Sequence, residues 1–137
     1  MLRTSDKTLD FALEALSSAE GLMGLATEAN HRAHQAEEEG DEELRDTWFD
    51  QKAKLICFAV LAHREVVVIR PCEGLLSVEV NRSKLHLPKR AIAKHIRGNG
   101  YDPQARLSLL RAFRIRPTRY EKHLVESRPK SRPRSRK

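Results

Sequence analysis

Glu65 to Pro88 reads EVVVIRPCEGLLSVEVNRSKLHLP, and the period of this stretch decides the fold class. EVVVIR (residues 65–70) is rich in β-branched residues and reads as a strand. PCEG is a turn cluster. LLSVEVN (75–81) alternates, with Leu76, Val78 and Val80 on one side, the pattern of a half-buried strand. NRS turns the chain again and KLHL (84–87) makes a short third strand. Consecutive strands separated by such short turns can pair only antiparallel. Residues 66–87 are therefore expected to form a small β-meander.

The flanking sequence has a helical period. Upstream, Glu42 to His63 places Leu44, Trp48, Leu55, Phe58, Ala59 and Ala62 on one stripe. Within it LICFAVLA (55–62) is apolar all round, so helix and buried strand both fit that segment. EEEGDEE (37–43) breaks the pattern, with Gly40 as a helix stop and Asp41 as an N-cap. Before it, a helix is expected from a start at Ser5 and Asp6 to about Ala36. Its broad apolar arc holds Leu9, Phe11, Ala12, Ala15, Leu16, Ala19, Leu22, Met23, Leu25 and Ala26, opposite Asp10, Glu14, Ser17 and Glu28. Gly21 and Gly24 suggest a kink or a close contact. The upstream half thus reads as an antiparallel helical hairpin with an acidic tip.

Downstream, Pro88 suits the first position of a helix, and KRAIAKHIR follows with Ala91, Ile92, His95 and Ile96 on one face. Asp102-Pro103 is a second start signal, for a helix through QARLSLLRAFRIR that Pro117 ends. TRYE (118–121) fits a capping box and predicts one more short helix to Val125. The fold class is α+β: an acidic hairpin (1–65), a meander (66–87) and two to three basic helices (88–126). Residues 1–126 would form a single domain and 127–137 a disordered basic tail.

Charge divides the 137-residue chain more sharply than structure does. The net charge is +7, yet residues 1–65 hold 7 Lys/Arg against 14 Asp/Glu, and residues 66–137 hold 19 against 5. A sign change of this size suggests different partners for the two halves. The cations expected to bind phosphate are Lys84, Lys89, Arg90, Lys94, Arg97, Arg106, Arg111, Arg114, Arg116, Arg119 and Lys122. The tail adds Arg128, Lys130, Arg132, Arg134, Arg136 and Lys137. Like charge at this density costs stability by self-repulsion, and a polyanion offsets that cost. Arginine dominates, and its planar fork suits phosphate oxygens. The alternating Arg and Pro of the tail favour an extended arm along a phosphate backbone.

The reading that follows is a non-enzymatic nucleic-acid-binding protein, a regulator or assembly subunit. Duplex DNA is preferred over RNA, since the basic half offers only Tyr101, Phe113 and Tyr120 for base stacking. Residues 88–116 also permit a helix-turn-helix, with Gln104, Arg106, Ser108 and Arg111 facing the nucleic acid. Against it, RGNGYD is longer than the tight turn of that motif. The alternative class is a protein–protein module whose oppositely charged ends bind protein partners. A homodimer or larger assembly through the apolar face of the first helix is expected to accompany either.

Other chemistry is thin. His31, His34 and Glu38 have helical spacing, but no second cluster completes a metal site. GNG (98–100) lacks the Lys-Ser/Thr of a phosphate loop. No nucleophile–base set stands out, and no cofactor or metal is expected. Cys57 and Cys72 read as two reduced, buried thiols, which fits a cytoplasmic location, nucleoid-associated or nuclear in a eukaryote. No apolar leader follows MLRTSDK, and the longest apolar run is far too short to cross a bilayer.

Overall fold

The computed structural model describes residues 18–126. Helix α1 (Ala19–Glu38) and helix α2 (Glu42–Ala62) are followed by a 3₁₀ turn (Arg64–Val66). Strands β1 (Val67–Cys72), β2 (Leu75–Val80) and β3 (Ser83–Pro88) come next, then α3 (Lys89–Gly98), α4 (Pro103–Ala112) and α5 (Arg119–Glu126). The class is α+β, with five helices and one three-stranded antiparallel sheet among the described residues.

The meander has the order β1-β2-β3, with Ile69 opposite Val78, and Val78 opposite Leu85. Its buried face is Val67, Ile69, Leu76, Val78, Val80, Leu85 and Leu87. Strand β1 lies further along the chain than the sequence period suggests. The 3₁₀ turn takes Glu65 and Val66, and pairing continues through Pro71 and Cys72. Pro71 is tolerated there because β1 is an edge strand. The expected PCEG turn therefore shrinks to Glu73-Gly74, both at positive φ (49° and 85°). That is the sign a two-residue hairpin turn requires to follow strand twist.

The all-apolar LICFAVLA segment is helical. It is apolar all round because α2 is the central element, with Ile56, Cys57 and Val60 at most 2% exposed. The predicted stripe is buried only in part: Ala59 is buried and Leu55 packs against the core. Leu44 and Phe58 are exposed, Ala62 is exposed, and the buried side is Lys52, Ala53, Ile56, Cys57, Ala59 and Val60. Two apolar faces compete on this helix, and the one with small residues wins because it lets α1 approach closely. Ala26, Ala29, Ala33 and Ala36 are its buried counterparts on α1.

Helix α1 starts at Ser18, whose side chain accepts from the Gly21 N–H. The predicted start at Ser5 and Asp6 lies outside the described residues, as does the tail from residue 127. Gly24 marks neither kink nor close contact: the helix is continuous, and a Cβ there meets nothing within 4 Å. At the other end Gly40, at φ 78°, ends α1 while Asp41 caps α2 by accepting from the Leu44 N–H. The Asp41 N–H returns to the Ala36 carbonyl at 2.9 Å, closing the α1 terminus.

Strand β3 passes into α3 with no intervening loop. Pro88 is the last strand residue and stands at the N-cap rather than in the first turn, with extended ψ of 136°. The sheet thereby fixes the origin of α3. Asp102 caps α4 by accepting from the Ala105 N–H at 2.8 Å. Helix α4 stops at Ala112, short of the Arg116 that the sequence suggests. Arg114 adopts φ 59°, and the Ile115 N–H bonds back to the Leu110 carbonyl at 2.8 Å. This is a Schellman stop with arginine where glycine is usual, driven by burial of Ile115 (8% exposed) beside Leu110 (0%). Phe113, fully buried, is the largest side chain of a core shared by α1, α2, the sheet, α3 and α4.

Candidate nucleic-acid interface

The described cations expected to bind phosphate fall into three groups. Lys84 on β3, Lys89, Arg90 and Lys94 on α3, Arg111 on α4, Arg114 and Arg116 after it, and Arg119 and Lys122 on α5 are all exposed. None of these nine makes an ion pair among the described residues. Elsewhere pairing is mixed: Arg70 pairs with Glu79, whereas Lys54 and Arg64 of the first half make no ion pair among the described residues. Arg32 pairs with Glu28 and Arg45 with Asp46 and Glu37.

Arg97 forms the second group alone. Its Nε and Nη2 donate to the two carboxylate oxygens of Glu121 at 2.7 and 2.9 Å. Glu121 also accepts from the Thr118 N–H (2.8 Å), while its own N–H donates to Thr118 Oγ1 (3.1 Å). The capping box is thus complete, and its carboxylate does a second job by tying α5 to α3. The Arg97 guanidinium, and then the Thr118 bonds, hold the Glu121 carboxyl down at about 2. Arg97 is committed to structure and is not a free phosphate ligand.

Arg106 is the third group. It lies about 200° around α4 from Gln104, on the side that Leu109, Leu110 and Phe113 bury. Its Nε is enclosed and has no acceptor among the described residues. The four residues assigned to a groove-reading face therefore do not share one: Gln104, Ser108 and Arg111 line an exposed strip, and Arg106 points away.

The connection from α3 to α4 is shorter than RGNGYD implies. Gly98 still belongs to α3, which leaves four residues (99–102), with Gly100 at φ 73°. That length fits a helix-turn-helix. The burial of α4 does not. Leu107, Leu109, Leu110, Ala112 and the cap Phe113 surround the helix, so only a narrow strip meets solvent. An exposed strip that narrow, Gln104, Ser108 and Arg111, favours contacts with the backbone over the reading of base edges. What remains accessible is the set of exposed cations. Its strongest local feature is the start of α3, where Lys89 and Arg90 occupy the first turn with no capping side chain and no carboxylate. Cations there oppose the helix dipole, and an anion relieves both.

Between α2 and α3 runs a groove of about 580 Å³, floored by Phe49, Ala53, Leu87, Pro88, Ala91 and Ile92. His95, on its wall, is 4% exposed and spans it. Nδ1 lies 2.8 Å from Asp50 Oδ1, and Nε2 lies 3.0 Å from the Tyr101 hydroxyl. An Nδ1–H facing the carboxylate leaves Nε2 to accept from Tyr101, which in turn meets Cys57. Burial pushes the Cys57 thiol up to about 12 and raises the Tyr101 hydroxyl. A thiol held protonated is a poor nucleophile. The second thiol corrects an expectation, since Cys72 is exposed on the edge strand.

Lys52, Asp50, His95 and Glu121 organise the molecule, yet no local pattern singles out the first three. Lys52 is 6% exposed and donates to Asn30 Oδ1 (2.8 Å) and the His86 carbonyl (2.6 Å). Its partners are 22 and 34 residues away. Only Glu121 carried a signal, as the fourth residue of TRYE. His34 bonds Glu37 and packs edge-on to Phe49, and among the described residues no three His, Cys, Asp or Glu cluster to hold a metal. No described helix is long and apolar enough to cross a membrane. Searches against protein-family models, curated proteins and solved structures find no match.

Proposed function

We propose that this chain is a non-enzymatic nucleic-acid-binding protein that grips the phosphate backbone of duplex DNA, with structured RNA the weaker ligand. The observation that carries the reading is that nine exposed cations of the second half, on β3, α3, α4, α5 and the segment before α5, have no ion-pair partner among the described residues. Lys84, Lys89, Arg90, Lys94, Arg111, Arg114, Arg116, Arg119 and Lys122 are the backbone ligands, and the cations of 128–137 extend the grip. The burial of α4 favours positioning contacts over base reading. Binding is then nearly indifferent to sequence, as suits a cytoplasmic, nucleoid or nuclear protein that packages or scaffolds.

The test compares labelled duplexes of differing sequence, single-stranded DNA and hairpin RNA by fluorescence anisotropy. The expected outcome is similar affinity for all duplexes and weaker binding to the single strand. Discrimination among duplexes by a hundredfold or more would demand base contacts and overturn the backbone grip.

A second reading is supported by the surface of the hairpin. Leu25 of α1 and Leu44, Phe58 and Leu61 of α2 are each at least 36% exposed. Apolar residues left on two packed helices favour a protein contact, including a second copy of the chain. These residues favour an assembly surface on α2 as much as on the first helix, where Ala19, Leu22, Met23 and Ala26 of the apolar arc are buried.

A further inference from the structure

Arg64 belongs to the acidic half, and nothing in the charge division draws attention to it. In the fold it lines the same cleft as Arg111. The two side chains, 47 residues apart, line one cleft of about 430 Å³ between the end of α2 and the exposed strip of α4. Ser108 brings a hydroxyl to the same wall, and Val60, Leu61 and Ala112 supply apolar walls. Neither arginine forms an ion pair among the described residues. Glu65, the neighbouring carboxylate, lines a different pocket with Ser18 and Asn81. Arg64 is also oriented, since its Nη1 donates to the Val67 carbonyl at 3.0 Å and leaves its other N–H groups to bond elsewhere.

We infer that Arg64, Ser108 and Arg111 form a phosphate-binding cleft. Two guanidinium forks and a hydroxyl, beside apolar walls, match the oxygens of a tetrahedral dianion or a phosphodiester. The inference rests on the backbone-grip reading where the phosphate belongs to nucleic acid, and extends that grip across the boundary at Glu65. The same chemistry takes a free phosphate or a phosphorylated small molecule. A purely structural role exists for comparison: cations beside the C-terminus of α2 complement its dipole.

The experiment uses the full-length chain, with Arg64→Gln and Arg111→Gln as variants and Arg70→Gln, on the sheet, as control. Melting temperatures establish that each variant is folded. In duplex-binding titrations across a salt series, Arg64→Gln weakens affinity about three- to tenfold and lowers the log–log salt slope by about 0.9. Arg70→Gln tracks the wild type. If the wild type binds steeply and Arg64→Gln is indistinguishable from it, the cleft is overturned while the grip stands. If the wild type binds no nucleic acid, inorganic phosphate is titrated against the arginine Nε–Hε resonances by NMR. Saturable shifts of both Arg64 and Arg111, abolished in Arg64→Gln, support a cleft for a free phosphate; no saturable shift overturns it.

Discussion

Lys52 carries an amine into the interior beside two oxygen acceptors and no carboxylate. Burial pulls it down to about 8 from an unfolded value near 10.5. The unfolded chain then holds the extra proton between those values, so stability rises with pH through this window and the penalty is fully present below it. Cys57, raised to about 12 from 9, acts oppositely above pH 9, where the unfolded thiol ionises first. Denaturant titrations should therefore show stability rising by up to about 1 kcal/mol between pH 8 and 9. Lys52→Met changes absolute stability through the acceptors it strands, but it should remove that rise. A wild-type profile already flat between pH 8 and 9 would rule out the buried amine as described. Composition and period gave no warning of this residue, because Lys52 lies on a helix whose lysines are expected in water.

Helix ends divide into those fixed locally and those fixed by distant packing. Gly40-Asp41, Asp102-Pro103 and the TRYE box were legible because each cap lies within a few residues of the group it satisfies. The end of α4 was not, because RAFRIR is made of competent helix formers and the stop depends on Ile115 reaching the core. Arg114 pays for that stop with a left-handed backbone. Arg114→Gly should therefore raise stability by about 1 kcal/mol, seen as an increase of a few degrees in the melting temperature. No change, or a decrease, would mean that the arginine side chain stabilises the turn. Helix α5 hangs on Glu121. Its carboxyl, held at about 2 against an ordinary 4.5, stabilises the fold above pH 4.5, and that contribution is lost as pH falls towards 2. Glu121→Gln should cost roughly 2–3 kcal/mol at pH 7 and much less at pH 2.5, a narrowing that acid-series melts would reveal. An equal cost at both pH values would assign the effect to packing.

At the scale of the whole molecule, the α+β class and the meander followed from alternation in residues 75–87, because the sheet has one buried face. The orientation of α2 did not follow, since two apolar faces were present and only the close approach of the alanines on α1 chooses between them. The charge division was legible as a count. Its redistribution was not: folding withdraws Arg97 into a pair with Glu121, encloses the Nε of Arg106, and sets Arg64 on the same cleft as Arg111. What remains exposed and without an ion pair among the described residues of the second half includes Lys84 on β3, Lys89, Arg90 and Lys94 on α3, Arg111 on α4, and the cations of α5 and the segment before it. The most direct test of this account is the salt dependence of duplex binding by the full-length chain and by residues 1–126. The account predicts that log Kd rises linearly with log salt, with a steep slope for the full chain and a shallower one after truncation, by about 0.9 for each phosphate contact removed. Failure to bind any duplex at about 50 mM salt, or an affinity that does not change with salt, would contradict it.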